Sequence, residues 1–327
     1  MNTIFDLLIS KNFIKQEQYQ AISEYQKLQL FSIRNELLFL LYISILLFTG
    51  GVGMIIYNNI DSIGHTVLLI SLFLLTGVCF YFCYKKFKGF SKQEVTFDNP
   101  LYDYLVLFTT ILMCTLIGYF QYNLNLQNSN YSLATLLSAI AALGMAYYFD
   151  NKSALTIGIT ALGSFVGLSL KIQTVLENNR NNETRLLVAG IAFGVLLLVW
   201  QWYSEKKELK EHFSFVLLTF ALHLMAISCL TGSFQETYWL FYLVTLAAVV
   251  YYFYLKSINY KAISWYFFTL LYGYIGFNVL FFKIIETLDF IRFFEVTAIL
   301  SPIYTIGSIV LFIKLIKNFK KKTNVSK

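Results

Sequence analysis

The sequence predicts an all-α integral membrane protein with about ten transmembrane helices. Of its 327 residues, 57% are hydrophobic and only 13% are charged, whereas about 25% are charged in an ordinary soluble domain. Its mean hydropathy is +0.62, and so few charges cannot cover the surface of a soluble fold of this length. The same composition excludes a disordered chain, a nucleic-acid-binding module and a disulfide-rich secreted scaffold.

The apolar residues occur in uncharged runs that are long enough to span a bilayer. A helix needs about 20 residues to cross about 30 Å of hydrocarbon. The runs are apolar on every face, whereas barrel strands alternate between polar and apolar residues, so helices are expected. The polar stretch Gln121–Asn130 divides the longest uncharged region into two spans. The ten predicted spans are residues 37–57, 65–84, 104–120, 132–149, 153–170, 186–203, 213–231, 237–255, 262–282 and 296–313.

These spans divide the chain into a segment at 1–36, a transmembrane bundle at 37–316 and a basic tail at 317–327. In the first segment, apolar residues such as Ile22, Tyr25 and Leu28 recur every three positions, which predicts an amphipathic helix. We expect a short cytoplasmic helical hairpin there. It either lies on the inner leaflet or the bundle, or docks a cytosolic partner.

Lysine and arginine residues predict the orientation. With the N-terminus in the cytoplasm, 20 of the 25 lie on the cytoplasmic side, as the positive-inside rule requires. Both termini are then cytoplasmic, and the polar start of the chain does not resemble a signal peptide. Two lysine clusters either contact anionic lipid or only set the topology. They are Lys85, Lys86 and Lys88 in one loop, and Lys320, Lys321 and Lys322 in the tail.

The middles of the predicted spans contain no Asp, Glu, Lys or Arg, which argues against proton-coupled transport. His223 is the single titratable residue at mid-span, and Asn278 lies in the ninth span. Together with Pro302, which should kink the last helix, they are candidates for a substrate pathway. A hydrogen bond between helices is the alternative for His223 and Asn278.

Glycine pairs and an acidic cluster complete the candidate residues. Gly163 and Gly167 in the fifth span, and Gly190 and Gly194 in the sixth, form G-x-x-x-G pairs, which predict helix packing and a tight contact between these two spans. An amphipathic helix at the outer surface is expected near residues 283–295, with a lid or a cation site as alternatives. Its acidic residues are Glu286, Asp289 and Glu295.

The cysteines and histidines do not have the spacing of a zinc site, so we expect no metal and no cofactor. Phosphate-binding loops and nucleophile motifs are also absent from the sequence, which disfavours an enzyme.

The N-terminal part resembles a bacterial family of multi-pass membrane proteins, the domain-of-unknown-function family 2157. The likeness lies in Leu8–Gln18 (LISKNFIKQEQ) and Gly50–Asp61 (GGVGMIIYNNID), although Tyr57 replaces the Trp usual near that turn. The resemblance implies a bacterial inner-membrane protein and assigns no catalytic residue. We therefore expect a non-enzymatic structural or regulatory role. A permease for a neutral or apolar small molecule is the first alternative, and a membrane-embedded enzyme acting on lipid is the second.

Overall fold

The computed structural model describes residues 34–58, 64–87, 89–95, 100–123, 131–177, 181–235, 238–287 and 294–322. This part of the chain is helical, as predicted, and contains ten long α-helices. The helices are α1 (Arg34–Asn58), α2 (His65–Lys85), α3 (Leu101–Asn123), α4 (Tyr131–Phe149), α5 (Lys152–Glu177), α6 (Asn181–Lys206), α7 (Ser214–Ser233), α8 (Trp239–Asn259), α9 (Ile263–Thr287) and α10 (Phe294–Lys322).

Each helix overlaps one of the ten predicted spans. Within the described residues, nine helices, α1 to α9, are long and apolar enough to cross a membrane, and the last predicted span lies inside α10. The predicted all-α membrane fold is therefore confirmed. The expected helical hairpin at the N-terminus falls on residues 1–33, outside the described part of the chain.

The chain divides into two compact units, residues 1–64 and 65–327. In the first unit, α1 is continuous across Gly50, Gly51 and Gly53, and none of the residues in its most apolar window is buried. Apolar side chains that are not buried within the protein are compatible with a lipid environment, in which they need no other cover.

In the second unit, α7 is the central helix. It packs against α5, α6, α8 and α9, and 61% of its most apolar window is buried, the highest share among the nine candidate spans. Polar bonds add to this packing, because the Trp265 indole N–H of α9 donates to Thr219 Oγ1 of α7 at 2.8 Å. The fully buried apolar residues of α7 are Leu217, Leu218, Ala221, Leu222, Ala226 and Cys229.

Gly163 of α5 faces α6, because a Cβ atom added there would lie 3.5 Å from the Phe193 ring, whereas the glycines of α6 face α7. A Cβ atom added at Gly190 would overlap the Ser228 side chain, and one added at Gly194 would overlap Met225, both on α7. On α5, a Cβ at Gly167 would meet no atom of the described residues within 4 Å. Gly190 and Gly194 therefore bring α6 close to the central helix.

This geometry predicts different effects of the same substitution at two glycines. Gly194→Leu should lower the melting temperature of the detergent-solubilised protein, because overpacking against Met225 costs about 1–3 kcal/mol or more. Gly167→Leu is the matched control and should leave the melting temperature nearly unchanged, since the added side chain enters open space. Equal losses in the two variants would contradict the assigned contact.

Candidate functional site

Three loops meet around one buried carboxylate at the end of α4. The Asp150 side chain is 3% exposed, and its Oδ1 lies 2.7 Å from Lys210 Nζ and 2.7 Å from His212 Nε2. Its other oxygen, Oδ2, accepts the backbone N–H of Val95. We call Asp150, Lys210 and His212 the Asp150 cluster. It connects the α2–α3, α4–α5 and α6–α7 loops.

The backbone bends sharply where Asp150 and Lys210 lie. Both residues have left-handed conformations, with φ of 58° at Asp150 and 55° at Lys210. Such a conformation costs a non-glycine residue roughly 1–2 kcal/mol, and Asp tolerates it better than most because its short polar side chain bonds locally. Two residues alone, Asp150 and Asn151, connect α4 with α5.

Asn151 fixes the start of α5 to the start of α3. Its side-chain oxygen accepts the Ala154 backbone N–H at 2.8 Å, which is the usual N-cap bond of a helix. Its side-chain amide donates to the Asp103 carbonyl oxygen on α3 at 3.1 Å. A buried Asn151 therefore holds the backbone next to Asp150 in place.

Lys210 is buried completely, which is unusual for a lysine. Its backbone N–H donates to the Lys92 carbonyl oxygen at 2.7 Å, and its Nζ lies 5.4 Å from the centre of the Phe90 ring. The α2–α3 loop therefore covers Lys210 with both backbone and aromatic contacts. The charge of this lysine is compensated by Asp150 rather than by water.

The electrostatics of Asp150 reflect two opposing effects. Burial alone would raise the pKa of the Asp150 carboxyl, but hydrogen bonds from His212, Lys210 and the Val95 N–H outweigh burial. The pKa of Asp150 therefore lies below its ordinary value of 3.8, and the group is a carboxylate at neutral pH. A buried carboxylate paired with a buried ammonium group is a strong constraint, because removing Lys210 or Asp150 leaves the other as an uncompensated charge.

A second set of polar side chains, on the same side of the bundle as the Asp150 cluster, joins α6 to α8. Glu205 accepts hydrogen bonds from the Gln201 amide at 2.9 Å and from the Tyr260 hydroxyl at 3.2 Å. Lys256 Nζ lies 3.8 Å from the same carboxylate. Burial and the charge of Glu205 raise the pKa of Tyr260 to about 12, so its hydroxyl stays a donor at neutral pH.

The Asp150 cluster can hold three loops together through the Lys210–Asp150 ion pair and the hydrogen bonds of Asp150 with His212 and Val95. In the part of the chain that the structure covers, no group of three His, Cys, Asp or Glu residues could hold a metal ion. The cysteines at 79, 83, 114 and 229 are free.

The sequence-predicted pathway residues lie apart from this cluster. His223 Nδ1 lies 2.7 Å from the Tyr272 hydroxyl, and this bond joins α7 to α9. The Asn278 side-chain amide donates to the Tyr274 carbonyl oxygen of its own helix at 2.7 Å. Pro302 lies within α10, which is helical on both sides of it. The structure does not bring these three residues together with the Asp150 cluster.

The remaining candidates are only partly described. Asp289 and Lys88 lie outside the described residues, as do the side chains of Glu286, Glu295 and Lys322. Residues 283–287 continue α9 rather than begin a separate surface helix as expected. The described lysines of the two clusters, Lys85, Lys86, Lys320 and Lys321, are exposed.

The sequence contains a signal for the Asp150 cluster, although the cluster matches no sequence motif. Asp150 is a lone acid in a very short connection between two apolar spans, on the side with most lysines. Successive spans alternate in direction, so α4 and α6 both end on that side. Asp150, which follows α4, therefore lies on the same side as Lys210 and His212, which follow α6. The pairing itself depends on the exact bends of three loops, which no local pattern specifies.

Comparison with known proteins places the N-terminal part of the chain. Residues 6–155 match the family described as "Predicted membrane protein (DUF2157)". The predicted resemblance is confirmed. The match extends well beyond the first 65 residues and includes Asp150 and Asn151. No curated protein and no solved structure matches the chain. Together with its apolar helices, the match makes this chain a multi-pass membrane protein.

The Asp150 cluster predicts a specific pattern of stabilities. Asp150→Asn should destabilise the protein by about 3–5 kcal/mol, because Lys210 becomes a buried, unpaired cation. The double variant Asp150→Asn with Lys210→Met should be more stable than Asp150→Asn alone. Melting curves in detergent measure both effects.

Glu94→Gln is the control for these variants. Glu94 pairs with Lys152 at 2.7 Å, but both side chains are about half exposed, so the change should cost less than about 1 kcal/mol. If Asp150→Asn behaved like Glu94→Gln, the buried pair would not stabilise the fold.

The lowered pKa of Asp150 also predicts a pH dependence. A carboxyl whose pKa is lower in the folded than in the unfolded state stabilises the fold above its unfolded pKa, and this contribution disappears as the pH falls through the folded pKa. The difference in melting temperature between the protein and Asp150→Asn should therefore be constant at mildly acidic pH and shrink below 3.8. A difference that grew with acidification would contradict the assignment.

Proposed function

We propose that this protein is a non-enzymatic, structural or regulatory component of the bacterial inner membrane. In this proposal the helix ends around the Asp150 cluster face the cytoplasm, and both termini lie on the same side. Most lysine and arginine residues lie in the segments on that side of the membrane, which supports the orientation.

The observation that carries the proposal is the position of the buried charged side chains. The buried charged side chains of the described residues are in the Asp150 cluster, where they neutralise one another and hold three loops. Proton-coupled transporters and membrane enzymes instead place ionisable groups along a pathway or at a reacting centre. The buried Asp150–Lys210 ion pair of this bundle instead lies at one of its ends.

The hydroxyl groups inside the helices support the same conclusion. Thr109, Thr110 and Thr245 each donate to the carbonyl oxygen four residues earlier in their own helix, at 2.8–2.9 Å. A hydroxyl whose proton is donated within its own helix has no proton left to donate to a passing solute. The central helix α7 is likewise packed with apolar side chains.

Two partner surfaces belong to this proposal. The lysines of the cytoplasmic side, Lys85, Lys86 and Lys88 together with Lys320, Lys321 and Lys322, would contact anionic lipid headgroups, since such clusters gain about 1 kcal/mol per residue near an anionic surface. The segment at 1–36 would bind a cytosolic partner through its amphipathic face.

One observation favours the alternative of a permease for a neutral or apolar small molecule. A pocket of about 380 Å³ lies near the end of α9 opposite the Asp150 cluster, and Asn278, Phe234 and Tyr274 line it. This volume falls in the range of small-molecule sites, about 300–1,000 Å³. A permease would need this pocket to connect with a path through the bundle past His223.

Cysteine accessibility distinguishes a closed bundle from a permease. In a background with the four native cysteines replaced by alanine, single cysteines at His223 and at the fully buried Ala226 should not react with a hydrophilic maleimide. The exposed Lys207 position should react fully, because it lies in a loop. Reaction of His223→Cys or Ala226→Cys from either side of the membrane would favour the permease.

The same labelling tests the orientation. Lys207→Cys should react in inside-out vesicles and not in intact spheroplasts, whereas Arg180→Cys should react in intact spheroplasts. The reverse pattern would overturn the cytoplasmic assignment. Gel filtration of each variant checks that the protein remains folded.

A further inference from the structure

A groove between α8, α9 and α10 has no role in the proposed structural function. Its volume is about 610 Å³, which is within the range of ligand sites, about 300–1,000 Å³. Its walls are mainly apolar and include Leu246 and Val250 of α8, Leu270 of α9, and Leu311 and Leu315 of α10. These residues belong to membrane-spanning helices, so an occupant must be soluble in the bilayer.

One polar atom in the lining of the groove lacks a partner. Thr269 of α9 is 1% exposed, and its Oγ1 makes no hydrogen bond with any residue that the structure describes. Thr245 of α8 shows the ordinary arrangement, because its hydroxyl donates to the Phe241 carbonyl oxygen of its own helix at 2.9 Å. A buried hydroxyl without a partner is unfavourable, and a bound acceptor would remove that cost.

The depth of Thr269 matches the ester region of a phospholipid. Thr269 lies six residues after the start of α9 at Ile263, or about 9 Å along the helix axis. The helix has 25 residues and is about 37 Å long, so it exceeds the hydrocarbon core of about 30 Å by a few ångströms at each end. Thr269 therefore lies about 5 Å inside the hydrocarbon boundary, within reach of an ester carbonyl.

The helix ends next to Thr269 are basic. The α8 C-terminus, the α9 N-terminus and the α10 C-terminus lie together, as the stacking of Tyr266 on Phe319 shows, with ring centres 4.2 Å apart. Residues 254–262 and 311–322 contain seven lysines and no acidic residue. One of these lysines, Lys256, lies 3.8 Å from Glu205 of α6. The surplus positive charge complements an anionic headgroup.

We propose that the α8–α10 groove binds one anionic phospholipid. An acyl chain lies along the apolar walls, an ester carbonyl accepts a hydrogen bond from the Thr269 hydroxyl, and the phosphate lies among the lysines at the helix ends. This site rests on the anionic-lipid contact proposed above and adds a defined place for it. The site does not depend on whether the bundle is closed or transports a solute.

Native mass spectrometry of the full-length protein tests the site. The protein is released from detergent in the presence of phosphatidylglycerol or of phosphatidylcholine with the same acyl chains, and the bound lipid is counted. We expect one retained phosphatidylglycerol and several-fold less phosphatidylcholine. Thr269→Val keeps the side-chain shape and should weaken retention about three- to tenfold, the effect of one lost hydrogen bond. Leu315→Trp should fill the groove and abolish retention.

Thr245→Val is the matched control, because it removes a hydroxyl of α8 that is already bonded within its helix. It should leave lipid retention unchanged, and melting curves should show that all variants are folded. Equal retention by the protein and Thr269→Val would overturn the site. Equal binding of the two lipids would overturn the anionic assignment, and a dimer that Leu315→Trp disrupts, without bound lipid, would show that a second copy fills the groove.

These outcomes are separate from those of cysteine labelling. Reaction at His223→Cys would overturn the closed bundle but leave lipid retention at Thr269 unaffected. If the protein retained no phosphatidylglycerol while His223→Cys stayed unreactive, the groove site alone would be overturned.

Discussion

The structure of the second unit depends on keeping one carboxylate charged without contact with water. Asp150 is buried, and a buried charge persists only when opposite charges and hydrogen-bond donors surround it. Lys210, His212 and the Val95 N–H meet that requirement, and each comes from a different loop than Asp150. The electrostatic need of one side chain therefore fixes the relative positions of helices α2 to α7 at this end.

Close packing, rather than charge, stabilises the middle of the bundle. There, helices approach one another through small residues and apolar side chains, as Gly194 does against Met225 and Gly276 against Leu246. Association in lipid depends on such close packing because the hydrocarbon offers no hydrophobic gain. Charge sets the positions of the helix ends, and packing sets the distances between the helices along their length.

Composition and spacing were sufficient to predict the helical fold and the position of nearly every span, because each apolar run must match the bilayer thickness. They were not sufficient to predict which faces meet. The G-x-x-x-G pair of α6 was visible in the sequence, but its partner is α7, since only the three-dimensional arrangement shows which neighbour lies closest. The unpartnered hydroxyl of Thr269 was equally invisible, because the sequence does not reveal whether a threonine bonds within its own helix.

The distance along the chain between the members of the Asp150 cluster has a consequence for biosynthesis. Asp150 and His212 are 62 residues apart, so the carboxylate leaves the ribosome well before Lys210 and His212. At about 5–20 residues per second, the delay is about 3–12 s. During that time the acid at the two-residue junction of α4 and α5 lacks its ammonium partner, Lys210. The end of the bundle can close only after α6 and the following loop have been made, so assembly follows the order of translation.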